Sequence, residues 1–336
     1  MSDADALARE DFLVLEDVTQ HFDLGKKLLT RESKGVVKAV DGVSLTIREG
    51  EILGIVGESG CGKTTLSRTI MQLIRPTSGR IVLEGKELSG LSDSDVRAER
   101  INFQMIFQDP YASLNPRLTV FTTLGEAIRT RHPDASGEAL RARVIELMRT
   151  VGLNPAQMNR YPHEFSGGQR QRVAVARALA PEPKLVIADE PVSALDVSIQ
   201  SQILNLLKRL SREMGLTMIF VSHDLSVVRY IADRIAVMYR GRIIELGTAE
   251  TIVDDPRHVY TKALMSAIPQ PDPRAERERE RIILEDDPPG AETTPDTDRR
   301  DDLEEVSPGH FVSNQPFDRR VKTAEAELPA LQADDR

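Results

Sequence analysis

The sequence lacks the features on which several common protein classes depend. Among its 336 residues there is one cysteine, Cys61, which excludes an internal disulfide framework and a multi-cysteine metal site. No run of about 18 apolar residues occurs, so no segment is predicted to span a bilayer. The opening stretch MSDADALARE is acidic and lacks the basic-then-apolar pattern of a signal peptide. Together these absences favour a reduced, cytoplasmic setting.

The net charge of −9 is concentrated at one end of the chain. Residues 271–336 contain 19 acidic and 10 basic residues, which leaves 34 of each in the remainder. A neutral body without a basic patch argues against nucleic acid as the main partner. The tail is charged and contains several prolines, so it is predicted to be mostly irregular and disordered beyond residue 271.

Apolar periodicity predicts strands that alternate with helices. Short apolar runs indicate buried strands at 51–57, 184–190 and 216–222, and helical spacing of apolar residues predicts an amphipathic helix at 137–151. The wider stretch of about 113–180 is predicted to be helical. Strands alternating with helices indicate an α/β fold with a largely parallel sheet.

Two further patterns refine this fold prediction. Val43, Leu45 and Ile47 alternate with polar residues, the period of a half-buried strand. The stretch IAVMYRGRIIELG reads as a hairpin that turns at Arg240–Gly241.

A phosphate-binding loop follows the first of the buried strands. GESGCGKT, residues 57–64, matches the pattern G-x-x-x-x-G-K-[ST] and opens a helix, which is the context that the pattern requires. Lys63 would reach the β- and γ-phosphates and Thr64 would bind Mg²⁺. The alternative is a glycine-rich turn with a solvated lysine. The predicted nucleotide-binding residues here are Gly57, Glu58, Ser59, Gly60, Cys61, Gly62, Lys63, Thr64 and Thr65, with a packing role for Cys61.

Two adjacent acidic residues, Asp189 and Glu190, end the apolar run LVIA. Ligands collect at the carboxyl ends of strands in open α/β sheets. Beside a phosphate loop, Asp189 is predicted to hold Mg²⁺ and Glu190 to orient or deprotonate the attacking water. The alternative for both side chains is simple solvation at a strand exit.

The stretch EFSGGQRQR places Gly167 and Gly168 where a helix begins. Ser166 and Gln169 have the spacing of a capping box, which would start a helix in any protein. The box does not explain two consecutive glycines, whereas a helix start that also admits a phosphate explains all four residues. Both interpretations, a cap alone and a cap that also binds an anion, are compatible with the sequence.

Six motifs, in this order, resemble those of the nucleotide-binding subunits of ATP-binding-cassette transporters. They are GESGCGKTT (57–65), IFQDP (106–110), FSGGQRQR (165–172), LVIADEP (185–191), SALD (193–196) and SHD (222–224). The resemblance implies an ATPase with a P-loop NTPase core, an antiparallel β subdomain and a helical subdomain at about 110–180. It places the ATP-binding domain at 1–250 and a C-terminal extension at 251–336.

The resemblance also assigns roles to single residues. It implies that Ser166, Gly167, Gly168 and Gln169 face the γ-phosphate bound by a second ATPase subunit in a head-to-tail dimer, and that Asp196 couples the two sites. Gln108 would touch Mg²⁺ and the attacking water, His223 would contact the γ-phosphate, and Phe22 would stack on adenine. The alternatives are a packed or solvated histidine, a second capping box at Ser193-x-x-Asp196, and a core phenylalanine.

Two segments outside these motifs are similar to ATPases of dipeptide and oligopeptide importers. They are FQDPYASLNPRLTV (107–120) and HVYTKALMSAIPQPDP (258–273). The resemblance implies peptide import, with two membrane permeases and an extracytoplasmic substrate-binding protein as partners, at the cytoplasmic face of the membrane. Glutathione, nickel and oligosaccharides are alternative cargoes. A mechanical ATPase acting on DNA or ribosomes is a rival, although no long coiled-coil insertion or second ATP domain is visible.

One departure concerns the C-terminal extension. Many similar proteins carry a cysteine cluster there that holds an iron–sulfur centre, but VSPGHFVSN (306–314) contains no cysteine. We therefore expect no iron–sulfur cluster and a different fold for this segment.

Overall fold

A computed structural model describes residues 11–23, 25, 35–109, 113–268, 280–284, 303–315 and 321–325. The chain divides into two compact units, Met1–Ile243 and Ile244–Arg336. Within the described ranges, no helix is both long and apolar enough to cross a membrane. The domain limit at residue 250 stays a prediction.

An antiparallel sheet of four strands opens the first unit. Its strands are β1 (Asp11–Asp23), β2 (Val36–Arg48), β4 (Ser78–Leu83) and β5 (Lys86–Glu87), in the order β2-β1-β4-β5. Val43, Leu45 and Ile47 of β2 are buried and Ser44 is exposed, which confirms the predicted alternation. The antiparallel subdomain is therefore present.

A parallel sheet forms the core of the same unit. Its strands are β3 (Ile52–Val56), β6 (Phe103–Ile106), β7 (Leu185–Asp189), β8 (Thr217–Ser222) and β9 (Arg234–Tyr239), in the order β9-β3-β8-β7-β6. Every neighbouring pair is parallel. All residues of β3, β7 and β8 are buried, because helices cover both faces of such a sheet. These three strands confirm the predicted apolar runs.

Seven helices of the first unit are described. They are α1 (Lys63–Ile70), α2 (Asp93–Glu99), α3 (Val120–Arg131), α4 (Gly137–Thr150), α5 (Gly167–Leu179), α6 (Val197–Met214) and α7 (Leu225–Ile231). Helices α3 to α5 lie between β6 and β7 in the chain, together with short 3₁₀ turns at Pro155–Gln157 and Pro162–Glu164. They are the predicted helical insertion, and α4 agrees with the predicted helix within one residue because its apolar spacing is regular.

A tight hairpin turn follows β9. Arg240 and Gly241 have φ angles of 44° and 85°, and positive φ at both central residues is typical of the two-residue turn that suits twisted strands. Strand β10 (Arg242–Thr248) begins directly after it. The predicted turn is confirmed.

The second unit contains elements that the sequence pattern does not predict. After β10 come α8 (Ala249–Asp254), α9 (Val259–Ala267), β11 (Glu280–Leu284), β12 (Leu303–Ser307), β13 (His310–Ser313) and β14 (Val321–Glu325). Antiparallel pairing joins β12 to β13 and β13 to β10, and β11 to β14. Strands β11 to β14 each have only four or five residues and no continuous apolar run of four or more, so the sequence pattern does not reveal them. The rest of the tail, where disorder is predicted, lies outside the described residues.

Candidate nucleotide-binding site

Four groups of predicted site residues lie at one edge of the parallel sheet. Strands β3, β8, β7 and β6 are consecutive neighbours in it. Their carboxyl ends lead to Gly57, His223, Glu190 and Gln108, respectively. Because parallel strands end on the same side, residues that are distant in the chain share one crevice, the usual ligand position in this fold class.

Glycines are required in the phosphate loop because backbone lies close to it. A Cβ at Gly57 would lie 2.1 Å from the carbonyl oxygen of Met238, and one at Gly62 would lie 2.0 Å from that of Ala39. Gly62 also has a φ of 110° and occupies the N-cap of α1 without any side-chain cap. The start of this helix is therefore open to an external anion.

The loop lysine is held inside its own loop. Lys63 is 5% exposed, and its Nζ donates to the carbonyl oxygens of Gly57 at 2.7 Å and Glu58 at 2.8 Å. The Sγ of Cys61 lies 3.7 Å from the same Nζ. Burial raises the pKa of the Cys61 thiol, which Lys63 opposes, so the thiol is a packed group rather than a reactive one.

Thr64 and Asp189 form the oxygen-rich part of the site. The Thr64 hydroxyl donates to Asp189 Oδ1 at 3.2 Å. Burial raises the pKa of Asp189, the hydrogen bond from Thr64 opposes this, and the charge of Glu190 adds to it. A hydroxyl and a carboxylate are hard oxygen ligands of the type that Mg²⁺ takes beside phosphates, so these residues fit the ion.

Glu190 is the centre of a polar cluster. Gln108 Nε2 donates to its Oε2 at 3.0 Å, and His223 Nδ1 lies 3.3 Å from its Oε1. Its φ of 47° lies in the left-handed region, and its N–H donates to the Val221 carbonyl oxygen at 2.9 Å. Strained backbone of this kind concentrates at functional sites.

Helix α5 begins with a complete capping box. Ser166 Oγ accepts from the Gln169 N–H at 3.3 Å, and Gln169 Oε1 accepts from the Ser166 N–H at 3.0 Å. A Cβ at Gly168 would lie 2.4 Å from Ile199 Cγ2, so close packing against α6 requires this glycine. A Cβ at Gly167 would meet nothing nearer than Leu195 Cδ2 at 3.7 Å. Packing thus gives a structural reason for Gly168 and gives none for Gly167.

The structure corrects one alternative for the SALD motif. Asp196 occupies the N-cap position of α6 but makes no side-chain cap hydrogen bond, so the second capping box is wrong. Ser193 Oγ instead donates to the Glu190 carbonyl oxygen at 3.1 Å, and Asp196 is exposed. The reason is the turn after β7, which directs Ser193 back towards Glu190.

Phe22 lies near the end of β1, opposite Val37 of β2. Its side chain is 39% exposed, so the alternative of a core phenylalanine is wrong. Stacking on adenine stays a prediction.

Sequence reasoning missed two contributors to the site. Ser193 was visible only as a capping residue, and its bond to Glu190 depends on the path of the turn. Ile199 is an apolar residue of α6, and no local signal in the sequence reveals its contact with Gly168. Both contacts join segments whose approach is set by tertiary packing.

Comparison with known proteins agrees with this geometry. The family model for ABC transporters matches residues 40–193, and the model described as the oligopeptide/dipeptide transporter C-terminal region matches residues 244–296. The oligopeptide transport ATP-binding protein OppF of Salmonella typhimurium is 53% identical over 283 residues, covering 84% of this chain and 84% of that protein. The chain belongs to the ABC transporter ATPase family.

Other relatives of this ABC ATPase support the same placement. The dipeptide transport ATP-binding protein DppF of Lactococcus lactis subsp. cremoris is 49% identical over 297 residues, covering 88% of this chain and 93% of that protein. A dimeric post-hydrolysis structure of the ATP-binding cassette MJ0796, bound to ADP and Pi, has a TM-score of 0.63 and 33% identity, covering 70% of this chain and 98% of that one. The chain is therefore an ATP-binding ATPase.

Proposed function

We propose that this ATPase powers the import of peptides of the dipeptide and oligopeptide class through a membrane transporter. The observation that carries the catalytic part is the Glu190 cluster, in which Gln108 and His223 hold one carboxylate beside the Thr64–Asp189 pair. The peptide class is supported by the match of residues 244–296 and by the names of the relatives.

The chemistry divides among residues of the same sheet edge. Lys63 exchanges its two carbonyl contacts for phosphate oxygens, and the open start of α1 adds backbone N–H donors. Thr64, Asp189 and Gln108 would hold Mg²⁺, which would neutralise phosphate charge when bound. Glu190 accepts a proton from the attacking water, while Gln108 orients that water and His223 contacts the γ-phosphate.

The site is completed by a second ATPase subunit, the same chain or a related one. Ser166, Gly167, Gly168 and Gln169 at the start of α5 face the γ-phosphate held by that subunit, which explains why the motif contains no lysine of its own. Asp196, exposed at the start of α6, links the two sites across the dimer. ATP closes the dimer only through its higher affinity for the closed form.

The partners follow from the importer assignment. Two membrane permeases bind the dimer at the cytoplasmic face, and an extracytoplasmic protein delivers the peptide to them. Neither nucleic acid nor an iron–sulfur cluster has a part in this function.

Glu190→Gln tests the catalytic assignment. Loss of the proton acceptor should lower turnover by about 10²–10⁴-fold, while ATP stays bound and ATP-dependent dimers accumulate. Steady-state hydrolysis, equilibrium binding of ATP and sedimentation with ATP measure these three results. Fast turnover by the variant would contradict the assignment of Glu190.

Glu182→Gln is the matched control. Glu182 also has a left-handed backbone, with φ 54°, and its carboxylate lies 3.1 Å from a histidine, His132. It precedes β7, away from the sheet edge that carries the site. Its variant should therefore hydrolyse ATP at the parental rate.

A further inference from the structure

Three arginines of α5 donate hydrogen bonds to backbone carbonyl groups in three other segments. The acceptors are the carbonyl oxygens of Pro162 for Arg170, of Val151 for Arg172 and of Ser113 for Arg177. The first two acceptors belong to the turn before α5 and to the end of α4. The third belongs to the segment that follows Gln108.

Arg177 differs from the other two arginines in its acceptor, which lies in the segment that follows Gln108. Its guanidinium is largely buried, and burial lowers the pKa of the group. In the part of the chain that the structure describes, no carboxylate lies within ion-pair distance of it. A buried cation must have its donors satisfied, and the hydrogen bond from NH1 to the Ser113 carbonyl oxygen supplies a strong, charge-assisted partner.

Ser113 is connected in turn to the Glu190 cluster. Its N–H donates to the carbonyl oxygen of Asp109 at 3.1 Å, and Asp109 directly follows Gln108. Gln108 Nε2 then reaches Glu190 Oε2 at 3.0 Å. A continuous series of hydrogen bonds and one peptide unit therefore runs from α5 to the carboxylate.

We propose that Arg177 is a positioning residue that holds Gln108 in place against Glu190. This inference rests on the proposed roles of Gln108 and Glu190 in hydrolysis. Without the guanidinium, the Ser113 carbonyl loses this hydrogen bond, which weakens the hold on the backbone that carries Asp109 and Gln108. Misplacement of a catalytic group by about 1 Å can cost roughly 10²-fold in rate.

A double-mutant cycle on the full-length chain tests the proposal. The kcat and KM for ATP are measured for the parent, Gln108→Ala, Arg177→Met and the double variant. Arg177→Met should lower kcat by up to about 10²-fold with little change in KM, because the phosphate loop belongs to other elements. The double variant should turn over at the rate of the slower single variant, since both changes remove the same function.

Arg172→Met is the matched control in the same helix. It removes an arginine–carbonyl hydrogen bond of 2.7 Å that leads to Val151 rather than to the segment of Gln108. In the Arg172→Met background, Gln108→Ala should lower kcat by the same factor as in the parent. Loss of the Gln108 effect in both backgrounds would show a general distortion of α5 and would overturn the proposal.

The remaining outcomes are distinguishable. If the effects of Arg177→Met and Gln108→Ala multiply, Arg177 does not act through Gln108 and the inference is wrong, while the proposed function stands. If Gln108→Ala leaves kcat unchanged in the parent, the proposed role of Gln108 itself fails. If Arg177→Met does not fold, Arg177→Lys is used instead, because an ammonium group replaces the planar guanidinium. In the Arg177→Lys background, Gln108→Ala should lower kcat by a smaller factor than it does in the parent. If the factor by which kcat falls is unchanged, the inference is wrong.

Discussion

Gly167 and Gly168 stand side by side at the start of α5, yet their surroundings differ. The space beside Gly168 is filled by Ile199 of α6, whereas the space beside Gly167 is nearly empty. Identical residues therefore serve different purposes, one for packing and one for access. Substituting each by alanine separates the two.

Gly168→Ala is expected to destabilise the fold. The new Cβ would lie 2.4 Å from Ile199 Cγ2, and overpacking of this kind costs about 1–3 kcal/mol. A lower midpoint of thermal unfolding measures the loss. Ile199→Ala in the same chain removes the clashing methyl group and should reduce the difference in unfolding midpoint between the forms with and without Gly168→Ala. If that difference in midpoint stays the same, the packing explanation is wrong.

Gly167→Ala is expected to spare stability and reduce turnover. Its Cβ would meet only Leu195 Cδ2 at 3.7 Å, an ordinary contact, so unfolding should change by no more than about 0.5 kcal/mol. The methyl group would project into the space through which the partner's γ-phosphate approaches. ATP hydrolysis at the parental rate would leave Gly167 without an anion-binding role.

At the scale of elements, strand β2 is fixed to its surroundings through a buried carboxylate. Asp41 Oδ2 accepts from Arg242 NH2 at 2.7 Å, and its Oδ1 lies 3.1 Å from His21 Nε2 in β1. Burial acts to raise the pKa of Asp41, but the hydrogen bond and charge of Arg242, with His21 and Lys38, outweigh it and lower the pKa. A depressed native pKa means that ionisation of Asp41 stabilises the fold.

Asp41→Asn should therefore destabilise the protein in a pH-dependent manner. The stabilisation is present above the unfolded pKa of about 4 and is lost as pH falls through the lower native pKa. At pH 7 we expect a loss of roughly 1–3 kcal/mol, and the two unfolding midpoints should converge as pH falls below the lowered native pKa of Asp41. If the difference in unfolding midpoint between the parent and Asp41→Asn stays the same in acid, this account is wrong.

Asp93→Asn is the control for burial. Arg75 and Asp93 approach to the same 2.7 Å, but the Asp93 side chain is 93% exposed, against 10% for Asp41. Exposed pairs are screened by solvent and add little to stability. Its unfolding midpoint should stay close to that of the parent at every pH.

At the scale of the whole molecule, the proposed site is incomplete without a second ATPase subunit. The phosphate loop and the Glu190 cluster share one sheet edge of this chain, whereas the start of α5 serves the other subunit. Specific activity of the purified chain should therefore fall on dilution as the dimer dissociates. Activity independent of concentration down to strict monomers would contradict shared sites.

Ser166→Arg complements the dilution experiment. Arginine in place of the cap residue should block turnover by obstructing the partner's phosphate, while ATP binding to the isolated chain persists because Lys63 and its loop are intact. A measurement of equilibrium ATP binding by the isolated chain distinguishes a loss of turnover from a loss of binding. Collapse of binding by the monomer would instead mean that Ser166 supports the phosphate loop of its own chain.

Prediction from sequence succeeded where a local pattern carries the information. The phosphate loop, the strands β3, β7 and β8, helix α4 and the turn at Arg240–Gly241 each depend on a short motif or a regular apolar period. Strand β6 is not predicted because four residues are too few to establish a period. Strands β11 to β14 are not predicted because each has only four or five residues without a continuous apolar run of four or more.

The sequence by itself determined the local features of this protein: where the phosphate-loop motif lies, where the paired carboxylates follow β7 and where α5 is capped, since each depends on residue types at short spacing. Only the tertiary structure decided which of these groups meet. The order of the parallel strands brings Gln108, Glu190 and His223 together, and packing brings Gly168 against Ile199 and Arg177 against the Ser113 carbonyl. The physical reason is that contacts between distant segments depend on how buried surfaces fit, which no local spacing records.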